Sequence, residues 1–265
     1  MSKNVNRYTR IIETIFFNHY QEGDTAVAFD RSEITQAAQD LGIELPKNLG
    51  DLVYTFRYRA MLPESITSKA PVGCEWVLRP AGRARYRLDL ARQISIVPSQ
   101  ALADTKILDA TPGIIVRYAL NDEQALLARL RYNRLIDIFT ELTCYSLQSH
   151  LRTTAPGVGQ VETDEVYVGV DKRGAHYVMP VQAKGTGEKI GVVQIEQDLA
   201  MCAAKFPYLV CRPIAAQFMA DQVIALFELE QTSKGIAITS ERHYRLVEPH
   251  ELSQEELKTY QQRFS

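Results

Sequence analysis

Residues Gln160 to Gly185 read QVETDEVYVGVDKRGAHYVMPVQAKG. Two runs rich in Val, Tyr and Met, residues 163–170 and 176–184, flank the segment Asp171-Lys172-Arg173-Gly174. Apolar runs of that length around a short polar segment predict a β-hairpin, and Gly174 supplies the positive φ that a tight turn needs. Loop length then sets the register. A three-residue loop, Lys172 to Gly174, pairs Asp171 with Ala175 and brings Asp164 opposite Gln182. A loop extended through Ala175 brings Glu165 opposite Gln182 instead. Gln182 and Lys184 are two apart, so on a strand both side chains leave on one face. The preceding run Val178-Met179-Pro180-Val181 marks an interior strand, where a Lys needs a partner. An acid, an amide oxygen and an ammonium converging there form a site for a hard cation, Mg²⁺ or Mn²⁺ in its place, beside a group that orients water.

Working outward, Asn121-Asp122 opens a region rich in Leu, Ile and Arg that predicts one long helix to about Leu151. On it Glu141 falls beside Ile138 and Leu142, on the face that packs inward. After the hairpin come a helix over about 189–206 and a strand over about 209–217. Helix, two strands, helix and further strands predict an α/β domain, α+β for the whole chain, over residues 123–265. Residues 93–122, with Pro98, Pro112 and Gly113, read as an irregular connector.

The N-terminal 92 residues have a different order. Apolar positions at Ile11, Ile12, Ile15 and Phe16 make one helix face, followed by a short strand over residues 26–29. Ser32 reads as the N-cap of a second helix that stops at Gly42, and a third helix fits 49–58. Residues 73–79 and 83–90 then form a hairpin across Pro80-Ala81-Gly82, with Trp76 and Leu78 on its apolar face. Three short helices and a hairpin predict a winged helix-turn-helix. Arg83, Arg85 and Arg87 share one face of the second strand, a row suited to phosphate oxygens. Lys47, Asn48, Tyr54, Arg57 and Arg59, in and around the third helix, complete the expected DNA-binding set.

The chain of 265 residues has a formal net charge of -2, which hides an uneven distribution. Residues 57–92 hold eight basic and three acidic side chains, a window of +5 against -7 for the remainder. No apolar run approaches the roughly 18 residues of a membrane span, and the N-terminus has no signal-peptide core, so a cytoplasmic protein is expected. Cys74, Cys144, Cys202 and Cys211 lack zinc spacing and are expected as reduced thiols. Gly157-x-Gly159 and Gly185-x-Gly187 lack the spacing of a nucleotide loop, and no Ser has a nucleophile-elbow context. Gln194 and Gln197 follow the hairpin on the next helix, and a polar helix face is their simplest role.

An Asp early in one strand and acid-x-Lys at the end of the next resembles the PD-(D/E)XK nuclease superfamily. The second half-motif here is Gln182-Ala183-Lys184, similar to the QxK variant of Mrr-type restriction endonucleases, over about residues 130–217. The resemblance implies a restriction-endonuclease-like mixed sheet flanked by helices, and hydrolysis of DNA phosphodiesters by a metal-activated water. It implies Asp164 as metal-ligating acid, Gln182 and the Ala183 carbonyl as further ligands, and Lys184 as the group positioning the water. A leading-helix acid often completes such sites, and Glu141 is the choice, with Asp137 in reserve. Two positions depart from the pattern. Thr163 stands where a Pro precedes the acid, which leaves Glu162, Glu165 and Asp171 as alternatives to Asp164. Gln182 removes one negative charge from the metal site.

The expectation is a restriction-type, Mg²⁺-dependent endonuclease acting on double-stranded DNA, as a homodimer because two strands call for two sites. The rival from another class is a winged-helix transcription regulator whose second domain binds a ligand or dimerises. An RNA nuclease differs only in substrate.

Overall fold

The computed structural model describes residues 3–45, 48–92, 96–118, 123–188, 190–233 and 235–262. The chain is mixed α/β: a small helical module with a three-stranded sheet, then a large mixed sheet flanked by helices.

The first module runs α1 (Lys3–His19), β1 (Ala26–Asp30), α2 (Arg31–Asp40), α3 (Gly50–Tyr54), α4 (Glu64–Thr67), β2 (Cys74–Pro80) and β3 (Arg85–Arg92). A π-helical turn, Thr55–Arg59, extends α3. Helix α1 buries Tyr8, Ile11, Ile12, Ile15 and Phe16, the i, i+3, i+4 stripe of an amphipathic helix. Phe16 meets Trp76 of β2 edge-on at 5.1 Å. Each fully buried side chain of this size contributes about 1.5–3 kcal/mol by leaving water. The cap of α2 is Asp30 and not Ser32: the Asp30 N–H donates to Glu33 Oε1 at 2.8 Å, half of a capping box, and Ser32 lies inside the helix. The sheet order is β1-β3-β2, all antiparallel, with Trp76, Leu78 and Leu88 buried.

The second part runs β4 (Asp104–Leu108), α5 (Gly113–Tyr118), α6 (Glu123–Tyr132), α7 (Leu135–Thr140), β5 (Thr143–Ala155), β6 (Gly159–Val170), β7 (His176–Lys184), α8 (Val192–Lys205), β8 (Val210–Cys211), β9 (Ile214–Phe218), β10 (Val223–Thr232), β11 (Gly235–Val247) and α9 (Gln254–Gln262). Its strand order is β4-β11-β10-β9-β7-β6-β5, with β8 beside β7. Most pairs are antiparallel. The exceptions are β7 with β9, β7 with β8, and β4 with β11. Helix α8 makes the crossover that a parallel β7–β9 pair requires.

Each face of the sheet is dry. Leu126, Leu127 and Leu130 of α6 and Leu135 and Ile136 of α7 pack on Met179, Val181, Ala183 and Leu226. On the other face Ile195 packs on Ala215, Ala225 and Phe227, and Met201 and Cys202 on Val166 and Val178. All four cysteines are free. Among the described residues no helix is long and apolar enough to cross a membrane.

Two sequence expectations change. The long helix over 122–151 is two short helices and a strand. Arg134 and Glu141 adopt left-handed backbone, φ 50° and 59°, which ends helical hydrogen bonding at both points. The Asn133 amide, bonded to the Arg129 carbonyl at 3.0 Å and to Thr111 at 2.8 Å, fixes the first break. The connector is not all irregular either, since β4 within it is the edge strand beside β11.

Candidate functional site

The register of β6 and β7 is that of the three-residue loop. Val170 faces His176 and Glu165 faces Val181, where the pairing ends, and beyond it the Ala183 N–H turns to the Asp164 carboxylate. Asp171 closes the turn: its Oδ1 accepts from the Arg173 and Ala175 N–H groups at 2.8 and 2.9 Å, which holds its carboxyl below the usual range. Asp171 is thereby a turn residue. Glu165, fully buried, accepts from Arg131 of α6 at 2.9 Å and from Ser146 at 2.5 Å. It shares a strand face with Tyr167, which packs under α6 and α7. Asp164 and Glu162 are the carboxylates left for the site, and of these Glu162 is paired with Arg152 at 2.8 Å.

Where β7 ends, a pocket of about 330 Å³ is lined by Tyr54, Glu123, Glu162, Asp164, Lys184, Glu188 and Gln194. Asp164 Oδ2 accepts from the Ala183 N–H at 2.8 Å, and among the described residues no donor reaches its other oxygen. Burial raises the Asp164 pKa, and Glu123 adds to this against the pull of the Ala183 N–H and Lys184. Lys184 Nζ donates to Glu123 Oε1 at 2.5 Å. Burial disfavours the Lys184 charge, but Glu123, Asp164 and Glu188 outweigh it and the pKa is raised. The ammonium is therefore held charged, as a donor and not a base.

The acid that α6 brings to the pocket is Glu123, its first residue. Glu141 is exposed in the corner between α7 and β5, outside the pocket. Its left-handed backbone breaks the helix that would have aimed it inward. Asp137 also serves structure: its carboxylate takes the Cys144 N–H at 3.0 Å and pairs with Arg134. Glu123 could have been suspected as an acid in a helix first turn, where the helix dipole favours it.

Gln182 is fully buried and does not line the pocket. Its Nε2 donates to Asp198 Oδ2 at 2.8 Å and to the Glu162 carbonyl at 3.2 Å, and its Oε1 accepts from Gln194 at 3.3 Å. Gln194 stands between it and the pocket. Asp198, fully buried on α8, also accepts from Thr163 at 2.5 Å. Burial pushes its pKa up to about 7, with a further push from Asp164, against the hydrogen bonds from Thr163 and Gln182. Sequence reasoning missed Asp198, though an acid spaced i+3 and i+4 before Met201 and Cys202 on an apolar stripe is a visible signal.

A second pocket of about 470 Å³, between the modules, shares Tyr54 and Glu162 with the first. Asn48, Arg57, Pro80, Gly82 and Tyr86 line one side, and Val158, Gly159 and Gln160 the other. Tyr54 and Arg57 thus face the hairpin domain and its pocket. Lys47 lies outside the described residues, as does the Arg59 side chain.

The arginine row is shorter than expected. Arg83 is an exposed turn residue, because strand β3 starts at Arg85 after Ala84 takes left-handed φ 58°. Arg85 pairs with Asp30 at 3.3 Å and Arg87 with Asp89 at 2.5 Å. Arg79 of β2 reaches the other module: its Nε and Nη2 bind Glu196 of α8 at 2.8 and 2.7 Å, and Asp89 lies 3.3 Å away.

Among the described residues, no three His, Cys, Asp or Glu side chains gather closely enough to hold a metal by themselves. Mg²⁺ asks for less, binding one or two carboxylates plus water and substrate phosphate. Asp164 fits that demand, a mostly buried acid with one oxygen undonated. On a strand the N–H and C=O of one residue point the same way, so the Ala183 carbonyl is directed to the Asp164 side. Comparisons with family models, with curated proteins and with solved structures find no match for this chain.

Proposed function

We propose that this chain is a metal-dependent endonuclease acting on double-stranded DNA, of restriction type. The observation that carries the reading is the meeting of Asp164, Lys184 and Glu123 in one polar pocket beside Tyr54 of the N-terminal module. Topology supports it too. A leading helix, the β6–β7 hairpin, then helix α8 and strand β9 is the order that the nuclease resemblance implies. The α1-β1-α2-α3-α4-β2-β3 order with a β1-β3-β2 sheet supports the winged-helix reading of the first module.

Under this reading Asp164 and the Ala183 carbonyl hold a divalent cation, Mg²⁺ or Mn²⁺, which supplies Lewis-acid polarisation of the scissile phosphate when bound. Lys184, held protonated, donates to the attacking water or to a phosphate oxygen and offsets charge there. Glu123 holds the Lys184 ammonium in place until a phosphate competes for it. Arg83, Arg85, Arg87, Arg57 and Asn48 position the duplex by its backbone. Two copies of the chain would cut the two strands.

The test is cleavage of plasmid and linear duplex DNA with Mg²⁺ or Mn²⁺, beside binding by gel shift. Wild type should cleave, while Asp164→Ala and Lys184→Ala bind DNA but lose cleavage. DNA binding without cleavage by wild type under either metal favours the transcription-regulator reading. Cleavage of RNA alone replaces DNA with RNA as substrate.

A further inference from the structure

The buried wall behind the pocket has a direction built into it. A side-chain amide is nearly symmetric in shape, so its neighbours decide whether its oxygen or its nitrogen faces a given way. Gln182 has both N–H groups turned to acceptors, Asp198 Oδ2 and the Glu162 carbonyl. That leaves its Oε1 to face Gln194, whose Nε2 it accepts at 3.3 Å. Gln194 is then oriented in turn. With its nitrogen spent on Gln182, its Oε1 is the end left over, and among the described residues no donor reaches it. Gln194 lines the pocket with Asp164 and Lys184.

We infer that Asp198 is a positioning residue: it sets the direction of a two-amide relay, Gln182 then Gln194, so that the pocket receives an amide oxygen from this wall. An amide oxygen is a neutral donor to a hard cation and an acceptor for water. The relay thus supplies an oxygen at the wall where Gln182 itself is covered. Thr163 steadies the other Asp198 oxygen at 2.5 Å, and the complete burial of Asp198 leaves it few alternative partners. This inference rests on the metal-dependent reading of the pocket.

Mn²⁺ binding to the full chain, followed by the electron-paramagnetic signal of free Mn²⁺, tests it without cleavage. Asp198→Asn can still offer an oxygen to Gln182 and an N–H to Thr163, so it should bind Mn²⁺ nearly as wild type does. Asp198→Leu removes the acceptor and should weaken binding roughly 10–100-fold, the range for lost outer-shell partners. Because a buried Leu there can unfold the chain, Gln194→Met, on the pocket surface, is the second arm. It should weaken Mn²⁺ binding about as much as Asp198→Leu while the chain stays folded, with a somewhat lower melting temperature because Met leaves the buried Gln182 Oε1 without its donor. Wild-type Mn²⁺ affinity in folded Gln194→Met overturns the inference. If Asp164→Ala abolishes binding in the same series, the nuclease reading survives that failure. Absence of Mn²⁺ binding by wild type overturns both.

Discussion

The β2–β3 hairpin and the pocket at the end of β7 carry opposite kinds of charge arrangement. On the hairpin each described arginine of the strands has its acid: Arg79 with Glu196 and Asp89, Arg85 with Asp30, Arg87 with Asp89. In the pocket Glu123, Glu162, Asp164 and Glu188 surround one ammonium, Lys184, and among the described residues only Glu162 of the four pairs with another cation, Arg152 at 2.8 Å. The first arrangement is electrically closed and suits structure. The second holds surplus negative charge in a partly dry place, which folding alone does not favour and a bound cation would relieve. The eye goes to the arginines in the sequence, yet the unbalanced region is the informative one.

That contrast can be broken at several points. The largest effect should come from Asp164→Ala or Lys184→Ala, each lowering metal-dependent DNA cleavage by about 10²-fold or more in a plasmid assay, with gel-shift affinity little changed. A loss of binding equal to the loss of cleavage would move these residues into the recognition surface. Next, Arg79→Ala should lower stability by about 1–3 kcal/mol in urea denaturation, because it leaves the half-buried Glu196 without its paired donors.

A smaller effect depends on pH. The Asp198 carboxyl titrates near 7 when folded, against about 3.8 otherwise. A raised folded pKa contributes stability that is fully present below the unfolded value and is lost as pH rises through the folded one. Asp198→Asn, which cannot charge, should therefore gain in melting temperature on wild type at pH 8 in EDTA, and show little gain at pH 4. An equal difference at both pH values would mean that Asp198 does not titrate in this window. The smallest change is expected at the exposed hairpin. Arg85→Ala should cost under about 1 kcal/mol of stability, as for other exposed ion pairs, and flatten the salt dependence of DNA binding by about one unit of slope.

Local features were the legible ones. The β6–β7 hairpin follows from two apolar runs around Gly174, whereas the choice between its two loop lengths comes from the structure, which takes the three-residue loop. The α1 stripe and the burial of Trp76 and Leu78 are equally local, set by periodicity. What escaped was decided at a distance or by one unusual backbone angle. Leu, Ile and Arg between 123 and 142 carry a helical pattern, and nothing in composition announces the left-handed turns at Arg134 and Glu141. With those two turns Glu141 lies outside the pocket, and Glu123 is the helix acid that lines it. Gln182 was placed on the right strand face, but its burial behind Gln194 depends on how α8 packs over the sheet.

Helix α8 also works as a mechanical part. Glu196 and Asp198 are two residues apart, about 200° around the helix, so they leave it on opposite sides. One side is gripped by Arg79 of the hairpin through two parallel hydrogen bonds, and the other backs the pocket wall through Gln182. One 14-residue helix thereby joins the hairpin contact to the pocket wall.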